Sequence, residues 1–388
     1  MNKSIKIILW LIVAIIIIYG IWYGVSKKPI TPTTKEPIKI GFIGPLTGDV
    51  ASYGQTELET IQLAINEINQ RGGIKGRPLQ IIAEDGKCDG KEATIAVNKL
   101  INIDKVKIIL GGVCSGETLA IIPLTEQNKI LVLTGNSSNP QISDAGEYIF
   151  RLCPTDQDLY RPEAKAFYEL GYKKVAVLSE QTDYCITARE AFVDEFKKLG
   201  GEIVDVEISN PNERDYRTYI TKIKAKNPEA IVIIPQNPIS GGLMAKQAKE
   251  LMPNVQILGS YNMETSDAIK ASEGALNGAI VFSLATDIPT GKEIIEKYKQ
   301  AYKKDPIDNF VPREAWDRVF LVKQAIEHCG DINTDCMKDY LYNTKFNLSL
   351  GEYRFNSKGD ITIFYTNLFK IKNNKANPMG PTRIVVKE

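Results

Sequence analysis

The sequence predicts an α/β protein built as two doubly wound lobes. Three observations predict it. From Ile38 onward, short apolar runs alternate with helix-period patterns, which reads as parallel strands covered by helices on both faces. The runs are too many for one sheet, and a chain of 388 residues is long enough for two domains. Polar loops follow several of the runs, at the strand ends where doubly wound sheets place their ligands.

Taken in order, the chain opens on residues 1–25, apolar without interruption from Ile7 to Ile18 and nearly so to Val25, with Lys3 and Lys6 before and Lys27 and Lys28 after. About 20 apolar residues span a bilayer as a helix. No small-residue cleavage site follows, and Trp22 and Tyr23 suit a membrane interface. Residues 1–26 are therefore expected to be an uncleaved membrane anchor, with a cleaved signal peptide as the alternative. Residues 27–37 hold Pro29, Pro32 and Pro37 and read as a stiff linker.

The run 38–43 reads as a buried strand. Leu58, Ile61, Ile65 and Ile68 then recur at helical spacing, and Arg71-Gly72-Gly73 ends that helix. Further strands are predicted at 79–83, 106–110, 130–133, 175–178, 203–206, 230–234, 255–258 and 279–282. The tail changes character: 353–355 and 361–371, around the turn 356–360, read as a β-hairpin.

Composition narrows the function. Hydrophobic residues make up 43% and charged residues 24%, as in a globular protein. The net charge is +1 and basic runs such as Lys303-Lys304 are short, so a nucleic-acid partner is not expected. Six cysteines without a Cys-x-x-Cys pair and a lone His328 argue against a metal site. An even cysteine count beside an export segment reads as disulfides, and these place the body outside the cytoplasm. Gly41-Phe42-Ile43-Gly44 is not a dinucleotide fingerprint, no Walker sequence or His-Glu-x-x-His occurs, and no serine sits in Gly-x-Ser-x-Gly. An enzyme is not expected, nor is a cofactor.

Three loops attract attention instead: 44–54, Cys114-Ser115-Gly116-Glu117, and Gly135-Asn136-Ser137-Ser138-Asn139-Pro140. Each offers hydroxyls and backbone donors before a helix. Plain N-capping accounts for any one of them. Three at successive strand ends favour a cleft for a small polar or anionic ligand.

The residues 40–48 (Ile-Gly-Phe-Ile-Gly-Pro-Leu-Thr-Gly), Tyr53-Gly54, Ala64-Ile65-Asn66-Glu67-Ile68-Asn69, Gly72-Gly73-Ile74-Lys75-Gly76 and Glu84-Asp85 follow in that order. This series resembles the branched-chain amino-acid (Leu/Ile/Val) binding proteins of ABC transporters. The resemblance implies a type I periplasmic-binding-protein fold with a three-crossing hinge: 38–155 plus 284–365 as lobe 1, and 156–283 plus 366–388 as lobe 2. It implies a monomer that captures an amino acid, amide or carboxylate between closing lobes and delivers it to an ABC permease. A ligand-sensing ectodomain of the same fold is the alternative.

Residue by residue, Ser115 matches the serine that holds the ligand's carboxylate. Asn136 and Ser138 match positions that meet the amino group. Tyr53 and Phe310 match aromatics of the side-chain pocket, Tyr184 matches a second-lobe tyrosine facing the cleft, and Cys88 and Cys114 match the family's disulfide. Cys329 and Cys336 close a short loop between predicted helices, which leaves Cys153 to pair with Cys185. The second lobe departs from the pattern. Tyr261 stands where the family's ammonium-binding carboxylate is expected, and Asn237, beside Gln236, stands near the place of a tyrosine. Either Glu264 supplies the missing carboxylate, or the ligand has no free α-ammonium.

Overall fold

β1 (Ile38–Gly44) is the strand about which the first sheet is built. Only Lys39 of it is exposed, as a strand covered on both faces requires. It pairs in parallel with β2 (Leu79–Asp85) on one side and β3 (Ile108–Gly111) on the other. β4 (Leu131–Thr134) and β5 (Ile149–Arg151) extend the sheet to the order β2-β1-β3-β4-β5. The chain order reverses between β1 and β3, so the loops leaving them diverge and open a crevice. The computed structural model describes residues 35–284 and 290–386, and these elements all lie in one compact unit, Pro37–Glu388. The expected anchor, residues 1–26, lies outside the described residues. Among those described, no helix is long and apolar enough to cross a membrane.

The helices α1 (Ala51–Gln70), α2 (Gly90–Asn102) and α3 (Ser115–Gln127) connect these strands. α1 buries Ile61, Ala64, Ile65 and Ile68, the apolar stripe seen in the sequence. It stops at Gln70, where Gly72 and Gly73 take φ of 98° and 73°. A side chain would be strained in that left-handed region, which is why the paired glycines mark the end.

The second lobe repeats the scheme. α4 (Asp156–Glu169), β6 (Lys174–Glu180), α5 (Asp183–Lys198), β7 (Glu202–Ser209), α6 (Arg217–Ala225), β8 (Ala230–Ile234), α7 (Pro238–Leu251), β9 (Gln256–Gly259), α8 (Ser266–Ala271) and β10 (Ile280–Leu284) follow in sequence. Their strands run parallel in the order β10-β9-β8-β6-β7. α9 (Lys292–Tyr302), α10 (Val311–Cys329) and α11 (Thr334–Asn343) return to the first lobe, where α10 packs on α1.

The tail differs from the sequence expectation. β11 (Phe346–Leu348) and β12 (Gly351–Tyr353) form a small antiparallel pair. The predicted hairpin around 356–360 is reduced to one bridge, Phe355–Ile361. β13 (Ile363–Lys372) runs instead along β10, antiparallel, and carries β14 (Lys375–Pro378) and β15 (Arg383–Val386). Joining an existing sheet buries Phe364, Phe369 and Ile371, which a two-stranded ribbon does not achieve.

Two of the three expected disulfides are present, Cys88–Cys114 and Cys329–Cys336. The third is a correction: Cys153 and Cys185 are free thiols, both buried. Each is packed in the main apolar core as a small apolar group. Elimination among six cysteines fails because an oxidising compartment does not force buried thiols to meet.

Candidate functional site

Loops that leave the carboxyl ends of strands in both sheets line a cavity of ≈ 50 Å³. A single water needs about 10–15 Å³ on this scale, so the space suits a small molecule. Tyr53 of α1, Ser115 at the start of α3, and Asn136 and Ser138 after β4 form one wall. Tyr184 of α5, Gln236 after β8, and Tyr261 and Asn262 after β9 form the other. Val50, Val113, Leu159 and Leu284 supply apolar surface, and no lining side chain among the described residues carries a charge.

The turn from β3 into α3 is held from within. Glu117, in the first turn of α3, accepts the amides of Val113 and Cys114 at 3.0 Å each and that of Cys88 at 2.9 Å. One carboxylate thus fixes both the helix start and the disulfide loop. Burial nevertheless raises its pKa to about 7. Ser115 is buried beside it, its Oγ accepting the Asn139 amide at 3.2 Å. Ser138 accepts the Asp156 amide on its carbonyl at 2.8 Å.

Asn136 is oriented by charge. Its Nδ2 donates to Glu57 Oε1 at 2.7 Å and reaches Glu314 Oε1 at 3.5 Å. Gly135 precedes it because a Cβ there would fall 1.7 Å from Glu314 Oε2. Both carboxylates hold Arg318: its Nε lies 2.7 Å from Glu314 Oε2, and its Nη2 pairs with Glu57. All three side chains are wholly buried. Burial holds the Glu314 carboxyl well above its ordinary range, so one guanidinium need not balance two full charges.

With its nitrogen engaged, Asn136 turns its oxygen to Tyr261, whose hydroxyl lies 3.1 Å away. The same hydroxyl lies 3.3 Å from Asp308 Oδ2. Asp308 Oδ1 accepts the amides of Phe310 and Val311 at 2.8 and 2.7 Å, which caps α10. Burial raises the pKa of Asp308 to about 6.

Contacts between the lobes surround the cavity. Tyr53 donates to Asn262 Oδ1 at 2.6 Å, and Asn139 Nδ2 to the Asp183 carbonyl at 2.7 Å. Arg214 pairs with Asp49 at 2.5 Å, and Gln236 Nε2 lies 3.6 Å from Cys88 Sγ. Val50, Cys114, Tyr184 and Gln236 also line a second chamber of ≈ 440 Å³, which Asp49, Asp183 and Asn237 border.

Six of the sequence-predicted residues thus meet at the cavity: Tyr53, Ser115, Asn136, Ser138, Tyr184 and Tyr261. Three do not. Asn237 is the N-cap of α7, accepting the Ser240 amide at 2.9 Å, and borders the outer chamber. Phe310 lines a separate apolar pocket with Leu152, Leu350 and Phe364. Glu264 is buried, does not line the cavity, and accepts the Ser283 hydroxyl. Asp308, Asn262 and the Glu57–Glu314–Arg318 cluster were not anticipated. The i,i+4 spacing of Glu314 and Arg318 on an apolar helix was the available signal.

The sequence pattern of the periplasmic binding protein family matches residues 37–376. The chain belongs to that family. The leucine-, isoleucine-, valine-, threonine- and alanine-binding protein of Pseudomonas aeruginosa is 30% identical over 340 residues, 85% of this chain and 88% of that protein. The Leu/Ile/Val-binding protein of Escherichia coli is 27% identical over 340 residues, 86% of this chain and 90% of its own. A leucine-binding protein from Thermotoga maritima superposes with a TM-score of 0.80 at 24% identity, over 90% of this chain and 99% of that one. A solute-binding protein from R. palustris in complex with benzoate gives 0.82 at 18% identity, over 91% and 98%. These structural likenesses show the type I fold.

Proposed function

We propose that this protein is the extracytoplasmic solute-binding component of an ABC importer and captures a small amino acid or a close relative between its lobes. The observation that carries this reading is the ring of inter-lobe hydrogen bonds around one cavity, Tyr53–Asn262, Tyr261–Asn136 and Asn139–Asp183. Residues that line the cavity or flank it are also the residues that hold the lobes shut. A ligand that bridges the two walls therefore favours the closed form by its extra affinity for it. A permease would read that closed shape. Residues 38–155 with 284–365, and 156–283 with 366–388, are taken as the moving lobes, and residues 1–26 as the membrane anchor.

Within the cavity, Ser115 and the first turn of α3 suit a carboxylate, since a helix N-terminus presents donors and positive potential. Ser138 and Asn136 stand beside it. Tyr53, Tyr184 and the aliphatic wall suit an apolar side chain. The amino acids in the names of the relatives combine these features. Titration calorimetry and thermal unfolding against the amino acids, their amides and small carboxylates test the reading. One ligand per chain, with a raised unfolding temperature, is expected. A protein that binds none of them is not a solute-binding protein of this kind.

A further inference from the structure

Beside the cavity, the Tyr261 hydroxyl proton is shared among three oxygens, two acceptors and the hydroxyl itself. Asn136 Oδ1 and Asp308 Oδ2 lie 3.1 and 3.3 Å from the Tyr261 hydroxyl, which donates to one of them at a time. Neither partner is placed to relieve the shortage. Asn136 has its nitrogen committed to Glu57 at 2.7 Å, so its oxygen stays toward Tyr261. Asp308 has its other oxygen fixed by the Phe310 and Val311 amides. The cluster is short of donors and carries negative charge.

Its surroundings keep it so. The charged and titratable groups that act on or around Asp308 are Arg313, Tyr261, Tyr53, Glu264 and Glu314. Arg313 is the cation among them. A group that brings several N–H donors and a positive charge would satisfy all three oxygens at once, which a water or a hydroxyl cannot do.

We propose that Asn136, Asp308 and Tyr261 form the binding site for the ligand's ammonium group, with Asp308 as its counter-charge and the phenolic proton of Tyr261 standing where a ligand N–H belongs. This rests on the reading of the protein as an amino-acid-binding protein, and it moves the carboxylate from Glu264 to the segment that leads into α10. Because that segment packs with the first lobe and Tyr261 follows β9 of the second, the ammonium draws the two lobes together. Burial places the Asp308 pKa at about 6. The carboxylate is charged above that pH and loses its charge below it, so affinity for an ammonium falls as pH falls through 6.

The test compares matched probes by calorimetry: L-leucine and other L-amino acids, each with its deaminated acid (for leucine, 4-methylpentanoate). The wild-type protein is expected to prefer the amino acid by at least ~30-fold. D308N is expected to lose at least ~30-fold toward the amino acid and to lose the preference with it. Asparagine keeps the Oδ1 acceptor that caps α10, and thermal unfolding verifies the fold. Should D308N fail to fold, the wild-type pH profile decides, and affinity unchanged between about pH 5 and 8 overturns the proposal. D308N binding as tightly as wild type overturns it too. Wild type binding the deaminated acids as well as the amino acids overturns the ammonium site and leaves solute capture standing. No binding of any probe defeats both.

Discussion

Gln236 of the second lobe lays its side-chain amide against the disulfide of the first, with Nε2 3.6 Å from Cys88 Sγ and 3.9 Å from Cys114 Sγ. Its backbone amide is fixed from behind, donating to Glu180 Oε2 at 2.6 Å. The side chain stands between the inner cavity and the outer chamber, lining both. The disulfide therefore has two roles. It staples the loops after β2 and β3, and it offers a surface that Gln236 of the opposite lobe meets.

Gln236→Ala is expected to speed ligand release about 2- to 10-fold, the worth of one modest hydrogen bond. The association rate should hardly change, because the contact forms only on closure. Stopped-flow displacement measures both. An unaltered release rate would show that the amide does not latch the lobes. Replacing Cys88 and Cys114 together by serine should add a separate loss of stability, on the order of 3 kcal/mol, because the bridge closes a long loop.

The free thiols give an independent check. Burial raises the pKa of Cys153 and Cys185, so neither offers a reactive thiolate in the folded protein. A thiol reagent is expected to label neither residue under native conditions and both after unfolding without reductant. Rapid native labelling of Cys153, which lines the cavity, would mean that the lobes open widely in the absence of ligand.

How far the sequence reaches is clear from these residues. The strands and the break at Gly72-Gly73 are local patterns, and the structure keeps them. Ser115, Asn136 and Ser138 were legible because each follows a strand end, and strand ends fix position. Tyr261 and Asp308 are 47 residues apart in the chain, and no spacing announces their contact. Glu57 and Arg318 are 261 apart and belong to helices whose packing on each other sets the distance. Phe310 shows the converse. Its neighbour Asp308 caps the helix, and that cap directs Phe310 into a pocket with Leu152 and Phe364.

Ser115→Ala is expected to cost ligand affinity about 1–3 kcal/mol, as for a hydrogen bond to a charged group. It also removes the acceptor of the Asn139 amide, so thermal stability should fall by roughly 1 kcal/mol as well. Calorimetry and unfolding scans on one sample separate the two. Unchanged affinity with lowered stability would make Ser115 a structural serine and place the ligand's carboxylate elsewhere.

Glu264 provides the last prediction, because pH and ligand tests divide its two roles. It accepts the Ser283 hydroxyl on one oxygen, and its other oxygen is buried without a hydrogen-bond partner. Burial pushes its pKa up to about 8 from an ordinary 4.5. A carboxyl whose folded pKa is raised favours the folded state while it stays protonated. That contribution is complete below the unfolded pKa and is lost as pH rises through 8. The wild type should therefore lose stability between about pH 5 and 8, and Glu264→Gln should lose less. Glutamine keeps an acceptor for Ser283 and cannot ionise. Amino-acid affinity should stay within about threefold of wild type, since a 1.4 kcal/mol change is already tenfold and no charge contact is removed. Thermal unfolding across that pH range and calorimetry at neutral pH check both halves. If Glu264→Gln abolishes amino-acid binding while the fold holds, the ammonium belongs to Glu264. Asp308 would then be only the cap of α10.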